Sequence, residues 1–490
     1  MSQPAVRRTT TGQWVGRFAG PAVAALVYFV PSGLHAIPGM GHRPAAAAAV
    51  AAWMALWWFT EAIPMGWTAL LPLVLFPAMG VFGDGGVLVA VGRSAQPFVD
   101  PYIFLFMGGM ALGAALEQWG LHRRIALLIM RAIGTGPQRL LFGMLAATAA
   151  VSLWISNTAT AVMMVPIGMA LIAQLEATEG RRLEHFGAAL MLAVAYGSNI
   201  GGIGTKIGSP TNSVFAGVVS RRLGTEVGFV EYMVAALPFV LLFLPIAWAV
   251  LWRGGRKDTL GPGQGGDVIA RELAQLGPLS GGERVVGGVF LVAAVLWIFG
   301  DPLRALLAPG VARAFDGFKL GGKHYEAAVA MVGALLLLAV GRLSLGALRR
   351  VPWDTLLLLG GGFALAAGIE ASGLSAWLIH RLSGLESLAA ITQHGVVAST
   401  TILLSAIASN TATVNVMLNV LPASRPLMAV STFASSCDFA LPAGTPPNAI
   451  VFGSGYVRLP VMMKAGVLLD VLAAGVLTLY GVAWVRWVLP

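Results

Sequence analysis

The chain reads as an all-α polytopic membrane protein of eleven transmembrane crossings, arranged as inverted repeats with two re-entrant hairpins. Three observations carry that reading. Of 490 residues, 57% are hydrophobic and only 11% charged, where a soluble chain averages roughly 25% charged, and the mean hydropathy is +0.80. The apolar residues form long runs without period-2 alternation, which selects helices over a barrel, the two backbones that satisfy their own hydrogen bonds in lipid. A polar string, Ser-Asn-Thr-Ala-Thr, occurs inside such runs at 156–160 and returns unchanged at 409–413.

A helical crossing needs about 20 apolar residues. In chain order the crossings fall at 20–37, 45–60, 66–82, 101–119, 187–217, 229–252, 285–300, 326–341, 354–372, 427–455 and 461–487. The first follows Arg7, Arg8 and Arg17 as a signal peptide would, but it has no clear small-residue cleavage site and reads as a retained helix. Trp53, Trp57, Trp58 and Trp67 flank the next runs and read as an interfacial aromatic belt. With a cytoplasmic N-terminus, 19 Lys and Arg fall on the cytoplasmic side, 11 outside, and one, Lys206, within a span. That is the positive-inside bias, and it accounts for the net charge of +10 without nucleic acid.

The two halves flank a Gly-rich, charged linker at 253–284. Gly108–Leu121, GGMALGAALEQWGL, aligns with Gly361–Leu374, GGFALAAGIEASGL, at an offset of 253, and both Ser-Asn-Thr strings keep that offset. Glu117 pairs with Glu370 in this alignment, near span ends where each caps or anchors a helix. A constant register over fifty residues marks a duplication. Five crossings separate one copy from the other, an odd number, so the copies point oppositely across the membrane. Inverted repeats of this kind build secondary transporters whose binding sites lie near the midplane.

The first polar string sits near the centre of a charge-free run of 36 residues between Arg139 and Glu176, and the second lies between His394 and Arg425. Arms of roughly 11–14 residues reach only about 15–20 Å, short of a core roughly 30 Å thick. Each segment is therefore expected to be a re-entrant hairpin with its polar tip at mid-membrane. Such a tip frees backbone groups that survive only against protein or water, and its amides suit an anion while its carbonyls and hydroxyls suit a small cation. A single string would more simply be glue between helices; two at mirrored positions point to a site.

Each hairpin precedes a span broken by glycine and proline, Tyr196–Asn212 and Ser435–Asn448, with matching ends Gly208-Ser209-Pro210-Thr211-Asn212 and Gly444-Thr445-Pro446-Pro447-Asn448. Discontinuous spans at corresponding positions are the best sequence pointer to a transport site. All seven asparagines of the chain lie in these hairpins and broken spans.

Other chemistries find little support. Cys437 is the only cysteine, the seven histidines form no HExxH spacing, and no GxxxxGK[ST] loop is present for ATP. A hydrolase would need a base beside Ser156 or Ser409, and neither string carries one nearby. The chain is thus expected not to be an enzyme, and a closed midplane site fits alternating access better than a passive channel.

The paired Ser-Asn-Thr strings, the GSPTN and TPPNAIVFG segments and the early stretch Trp57–Pro72, WWFTEAIPMGWTALLP, resemble the divalent anion/sodium symporter family over nearly the whole chain. The resemblance implies a homodimer in lipid, working as an elevator; the compactness and Ala/Gly richness of the chain point to a bacterial inner membrane. It implies sodium-coupled symport of C4-type dicarboxylates such as succinate, malate and fumarate, with citrate or sulfate as alternatives; a sodium-independent dicarboxylate exchanger, with Lys206 replacing a sodium ion, is the other alternative. Carried onto this sequence, it places substrate at Ser156, Asn157, Thr158, Ser209, Pro210, Ser409, Asn410, Thr411, Thr445 and Pro446. One sodium ion is assigned to Ser152, Ser156, Asn157 and Gly208, the other to Ser405, Ala408, Asn410 and Gly444. Residues 1–100 are then largely scaffold; 101–252 form the first repeat, with its hairpin at 138–175 and broken helix at 187–217. After the cytoplasmic linker come scaffold helices at 285–353 and the rest of the second repeat at 354–490, with its hairpin at 395–424, broken helix at 427–455 and a last helix.

Two charges depart from the family pattern, Lys206 at a usually uncharged position and Asp438 where SCAF is typical and SCDF stands here. Intramembrane charges are functional candidates by default. Lys206 is expected to replace or repel a sodium ion near Gly208, giving an exchanger, or else to snorkel to an interface; Asp438 is a candidate partner for it, or a proton carrier.

Overall fold

The computed structural model describes residues 11–30, 34–37, 39–83, 85–258, 266–315, 319–381 and 383–490. Arg7, Arg8 and linker residues 259–265 lie outside these. Regular structure among the described residues is helical throughout. Helix α1 (Thr11–Phe29) packs along α2 (Arg43–Thr60). Gly16 leaves room for the Thr60 side chain and Gly20 for the Trp53 and Trp57 rings, and the Trp57 indole donates to the Gly16 carbonyl at 2.9 Å. Trp58 is buried and donates to the Met65 carbonyl, so only Trp67 of the four tryptophans is largely exposed. The expected aromatic belt is for the most part packing between helices, because the glycine face of α1 admits the rings. Glu61 closes α2 in the left-handed region at φ 46, alone among described non-glycine residues.

The expected crossing 66–82 is divided between α3 (Met65–Thr68) and α4 (Leu71–Ala78). After α5 (Gly86–Ala95), Asp100 starts α6 (Pro101–Gln118) by accepting the Tyr102 N–H at 3.0 Å, with Pro101 in the first turn. Next come α7 (Leu121–Ile133), α8 (Pro137–Ser152) and α9 (Asn157–Glu179), then α10 (Glu184–Gly202), α11 (Pro210–Leu223) and α12 (Phe229–Gly255). Beyond the linker lie α13 (Gly266–Leu276), α14 (Gly281–Ile298), α15 (Gly300–Ala314), α16 (Gly322–Ala339), α17 (Leu345–Leu348) and α18 (Trp353–Ala371). The chain closes with α19 (Leu374–Arg381), α20 (Ser383–Glu386), α21 (Ala390–Ile407), α22 (Asn410–Val420), α23 (Arg425–Ser435), α24 (Pro446–Phe452) and α25 (Leu459–Tyr480).

Eight helices among the described residues are long and apolar enough to cross a membrane, at 86–118, 157–179, 229–255, 281–298, 322–339, 353–371, 390–407 and 459–488. Two of them, α9 and α21, are hairpin arms expected to fall short. At 23 and 18 residues they extend about 34 and 27 Å. Their partner arms α8 and α22, of 16 and 11 residues, extend about 24 and 16 Å. A charge-free run underestimates arm length because α9 continues through Glu176 to Glu179.

The duplication is visible in the packing. α8 lies against α10, and its counterpart α21 against α23. Gly197 and Gly201 on α10 face the backbone of Leu145 and Ala149 on α8, the small-residue contact that lets membrane helices approach closely. After α6 and α18 the chain turns at Gly120 (φ +70) and Gly373 (φ +78), whose N–H groups bond to the Glu117 and Glu370 carbonyls. The repeated glutamates therefore mark helix ends through their backbone. α13 packs on α7, where Arg123 meets Glu272, while Arg124 binds Glu283 of α14 at 2.7 Å.

Candidate functional site

Each polar string stops one helix and starts the next. In the first hairpin α8 ends at Ser152, and Ser156 caps α9 by accepting the Ala159 N–H at 3.4 Å. In the second, α21 ends at Ile407, Ala408 extends the chain, and Ser409 caps α22 through the Ala412 N–H at 3.2 Å. Serine suits this position because its oxygen satisfies an N–H that the first turn leaves free. Asn157 and Asn410 then occupy equivalent first positions. The Ser152 hydroxyl lies 2.8 Å from both Asn157 Oδ1 and the Ser198 carbonyl. The Ser405 hydroxyl lies 3.0 Å from Asn410 Oδ1 and 2.6 Å from the Ser435 carbonyl.

The broken spans match as closely. α10 unwinds over 203–209 and restarts at Pro210; α23 unwinds over 436–445 and restarts at Pro446. Proline fits a first helical position, where no N–H is required. An asparagine ties each break: Asn212 Nδ2 donates to the carbonyls of Gly202 (2.7 Å) and Thr205 (2.6 Å), and Asn448 Nδ2 to those of Asp438 and Leu441 (3.0 Å each). All three pairs share an offset of 236, so Gly202 and Asp438 are structural equivalents.

The repeats interlock crosswise. The arm α9 packs on α24 of the other repeat, and α22 packs on α11. Asn199 spans the two breaks, donating to Thr445 Oγ1 at 3.1 Å and Asn448 Oδ1 at 3.4 Å. Of the substrate candidates, Thr158 and Pro446 are exposed; Ser156, Asn157, Pro210, Ser409, Asn410 and Thr411 are half-buried; Ser209 and Thr445 are buried. The tips thus carry partly exposed polar groups while their bracing hydroxyls, Ser152 and Ser405, are enclosed.

Oxygen donors suited to a small hard cation surround Gly208. A methyl group on Gly208 would meet the carbonyl oxygens of Gly202 (2.7 Å), Leu153 (3.0 Å) and Ser152 (3.0 Å). The atoms nearest Gly208 are neutral carbonyl oxygens, a donor set that suits sodium. Beside Gly444 the surroundings differ: the nearest group to an added methyl is Asp438 Oδ2 at 2.5 Å, with the Leu441 carbonyl at 3.5 Å.

Lys206 and Asp438 are not partners. The buried Lys206 ammonium is held by both carboxylate oxygens of Glu326 on α16 and by the Val227 carbonyl, with the Tyr102 ring 5.4 Å away. It neither snorkels nor turns toward Gly208. Asp438 is fully buried and neither carboxylate oxygen has a hydrogen-bond partner. Sequence reasoning missed Glu326, whose only signal was its place as a carboxylate in an apolar run. It also missed Asp470 on α25, which accepts the Phe439 N–H at 2.8 Å and so supports the second break.

Residues 11–489 match the family described as the sodium:sulfate symporter transmembrane region. The chain is 34% identical over 493 residues to the sodium-dependent dicarboxylate transporter SdcS of Staphylococcus saprophyticus, covering 96% of this chain and 90% of that one. Its identity to the SdcS of Staphylococcus aureus strain MRSA252 is 33% over 495 residues, covering 96% and 91%. The fold is similar to that of the Alcanivorax borkumensis YdaH transporter, with a TM-score of 0.56 at 16% identity over 86% of this chain and 98% of that one.

Proposed function

The chain belongs to the sodium:sulfate symporter family, and on that premise we propose that it is a sodium-coupled carrier of C4-type dicarboxylates such as succinate, malate and fumarate. It is an integral membrane protein, and its relatives are transporters rather than enzymes. The observation that carries the dicarboxylate reading is the crosswise packing of two equivalent tip-and-break units. Two polar tips give a two-ended anion one carboxylate-binding end each, Ser156-Asn157-Thr158 at one and Ser409-Asn410-Thr411 at the other. Ser209, Pro210, Thr445 and Pro446 lie beside them at the restarting helices.

Sodium ions as cargo supply the positive charge that a dianion needs in this setting. Ser152, Ser156, Asn157 and Gly208 would hold one, and Ser405, Ala408, Asn410 and Gly444 the other. Asn157 and Asn410 belong to both the anion and the cation sets, so cation binding orders the groups that receive the carboxylates. Differential binding of this kind is what shifts a conformational equilibrium. The engagement of Lys206 with Glu326 supports sodium, rather than lysine, at the first tip.

The moving body in this reading comprises both hairpins and both broken helices, and the other membrane helices form a dimeric scaffold against which it travels as an elevator. The N-terminus faces the cytoplasm of a bacterial inner membrane, on the Lys and Arg bias. The test is radiolabelled succinate uptake into proteoliposomes, with an inward sodium gradient, without sodium, and with succinate preloaded. Concentrative uptake only with sodium is expected. Uptake driven by internal succinate without sodium would establish an exchanger instead.

A further inference from the structure

Asp438 is a carboxylate in a place where the first repeat has no side chain. Its equivalent, Gly202, has no room for one, since a methyl group there would collide with the Asn157 amide. In the second repeat the side chain exists and enters the same space. The Asn410 amide faces the Asp438 carboxylate without a hydrogen bond of normal geometry, and Oδ2 points at Gly444. Asn410 and Gly444 are also the residues proposed to hold the second cation. A fully buried carboxylate with both oxygens unpartnered is a costly arrangement that a bound cation would relieve. Lys206, the basic partner expected from the sequence, is paired with Glu326. Asp470 is itself an acid and supplies no counter-charge; it already accepts the Phe439 N–H.

We propose that the Asp438 carboxylate is a direct ligand of the sodium ion held between the second hairpin tip and the second break. The two cation sites are then unequal, with only neutral oxygens beside Gly208 and one anionic oxygen beside Gly444. The inference rests on the sodium-coupled reading above. It also changes the charge of the loaded carrier: two sodium ions, a dianion and the Asp438 carboxylate sum to one negative charge rather than zero.

The test is thermal unfolding of the purified full-length protein in detergent, titrating sodium chloride against choline chloride at constant ionic strength, for wild type and Asp438→Asn. Sodium stabilises the wild type, and the concentration giving half the effect rises about tenfold or more in the variant, as expected for a lost charge-assisted contact. In choline the variant unfolds at the same or a higher temperature, because a buried carboxyl without hydrogen-bond partners has been replaced by an amide. Equal sodium midpoints in both proteins would overturn Asp438 as a ligand and leave sodium coupling standing. Absence of sodium stabilisation in the wild type would overturn both. Should the variant fail to fold, equilibrium binding of radioactive sodium to the wild type decides: two affinity classes are expected, and a single class overturns the unequal sites.

Discussion

Lys206 Nζ lies 2.8 and 3.0 Å from the two carboxylate oxygens of Glu326, wholly buried, joining the first helix break to α16 across 120 residues of sequence. Removing one partner of such a pair leaves a buried charge and costs about 3–5 kcal/mol. Lys206→Met and Glu326→Gln should each lower the unfolding temperature in detergent, and the double variant should lose less than the sum. The double variant should also keep its sodium dependence of succinate uptake. Sodium-independent exchange by wild type that the double variant abolishes would restore Lys206 to the coupling mechanism.

The Ser152 and Ser405 hydroxyls brace Asn157 and Asn410 at equivalent points. Their loss removes a contact of about 0.5–1.5 kcal/mol. Ser152→Ala and Ser405→Ala should each raise the half-saturating sodium concentration for uptake about two- to tenfold, with smaller changes in succinate KM at saturating sodium. A sodium curve unmoved by either substitution would place the cations elsewhere.

Thr158, exposed, and Thr411, half-buried, are the threonines of the two tips. Thr158→Val and Thr411→Val keep shape and delete one hydrogen bond, so each should raise the KM for succinate severalfold, again on the scale of about 1 kcal/mol. The effects should multiply in the double variant, since distant sites add in free energy. If competition by a monocarboxylate such as butyrate matched that of succinate, two-ended recognition would be wrong.

Outside the crossings, burial holds the His122 imidazole on α7 down at about 4, opposed by its bond to the Leu116 carbonyl and assisted by the neighbouring Arg123 charge. The unfolded chain therefore takes up a proton at this site near pH 6.5 that the folded chain refuses until about pH 4. Stability contributed by neutral His122 is complete above pH 6.5 and falls as pH drops toward 4, by at most about 3 kcal/mol. His122→Asn should flatten the unfolding temperature across that window relative to wild type.

Much of the candidate site was legible before folding because duplication prints it twice. The recurrence of Ser-Asn-Thr, the matched glycine-proline breaks and the confinement of all seven asparagines are features of order and spacing. The structure places the named tip residues at equivalent helix starts. Arm lengths were misjudged because helices ignore charge boundaries, and the tryptophans because burial against a glycine face leaves no mark in hydropathy.

By itself the sequence determined that this chain is helical, membrane-embedded and duplicated, since hydrophobic run length and repeat register are one-dimensional quantities. Only tertiary structure decided which charge meets which. Lys206 and Asp438 differ by 232 positions and looked like natural partners in an apolar protein, yet one turns to Glu326 and the other to Asn410 and Gly444. The reason is physical: a buried charge is governed by groups within a few ångströms, and chain order does not encode those distances.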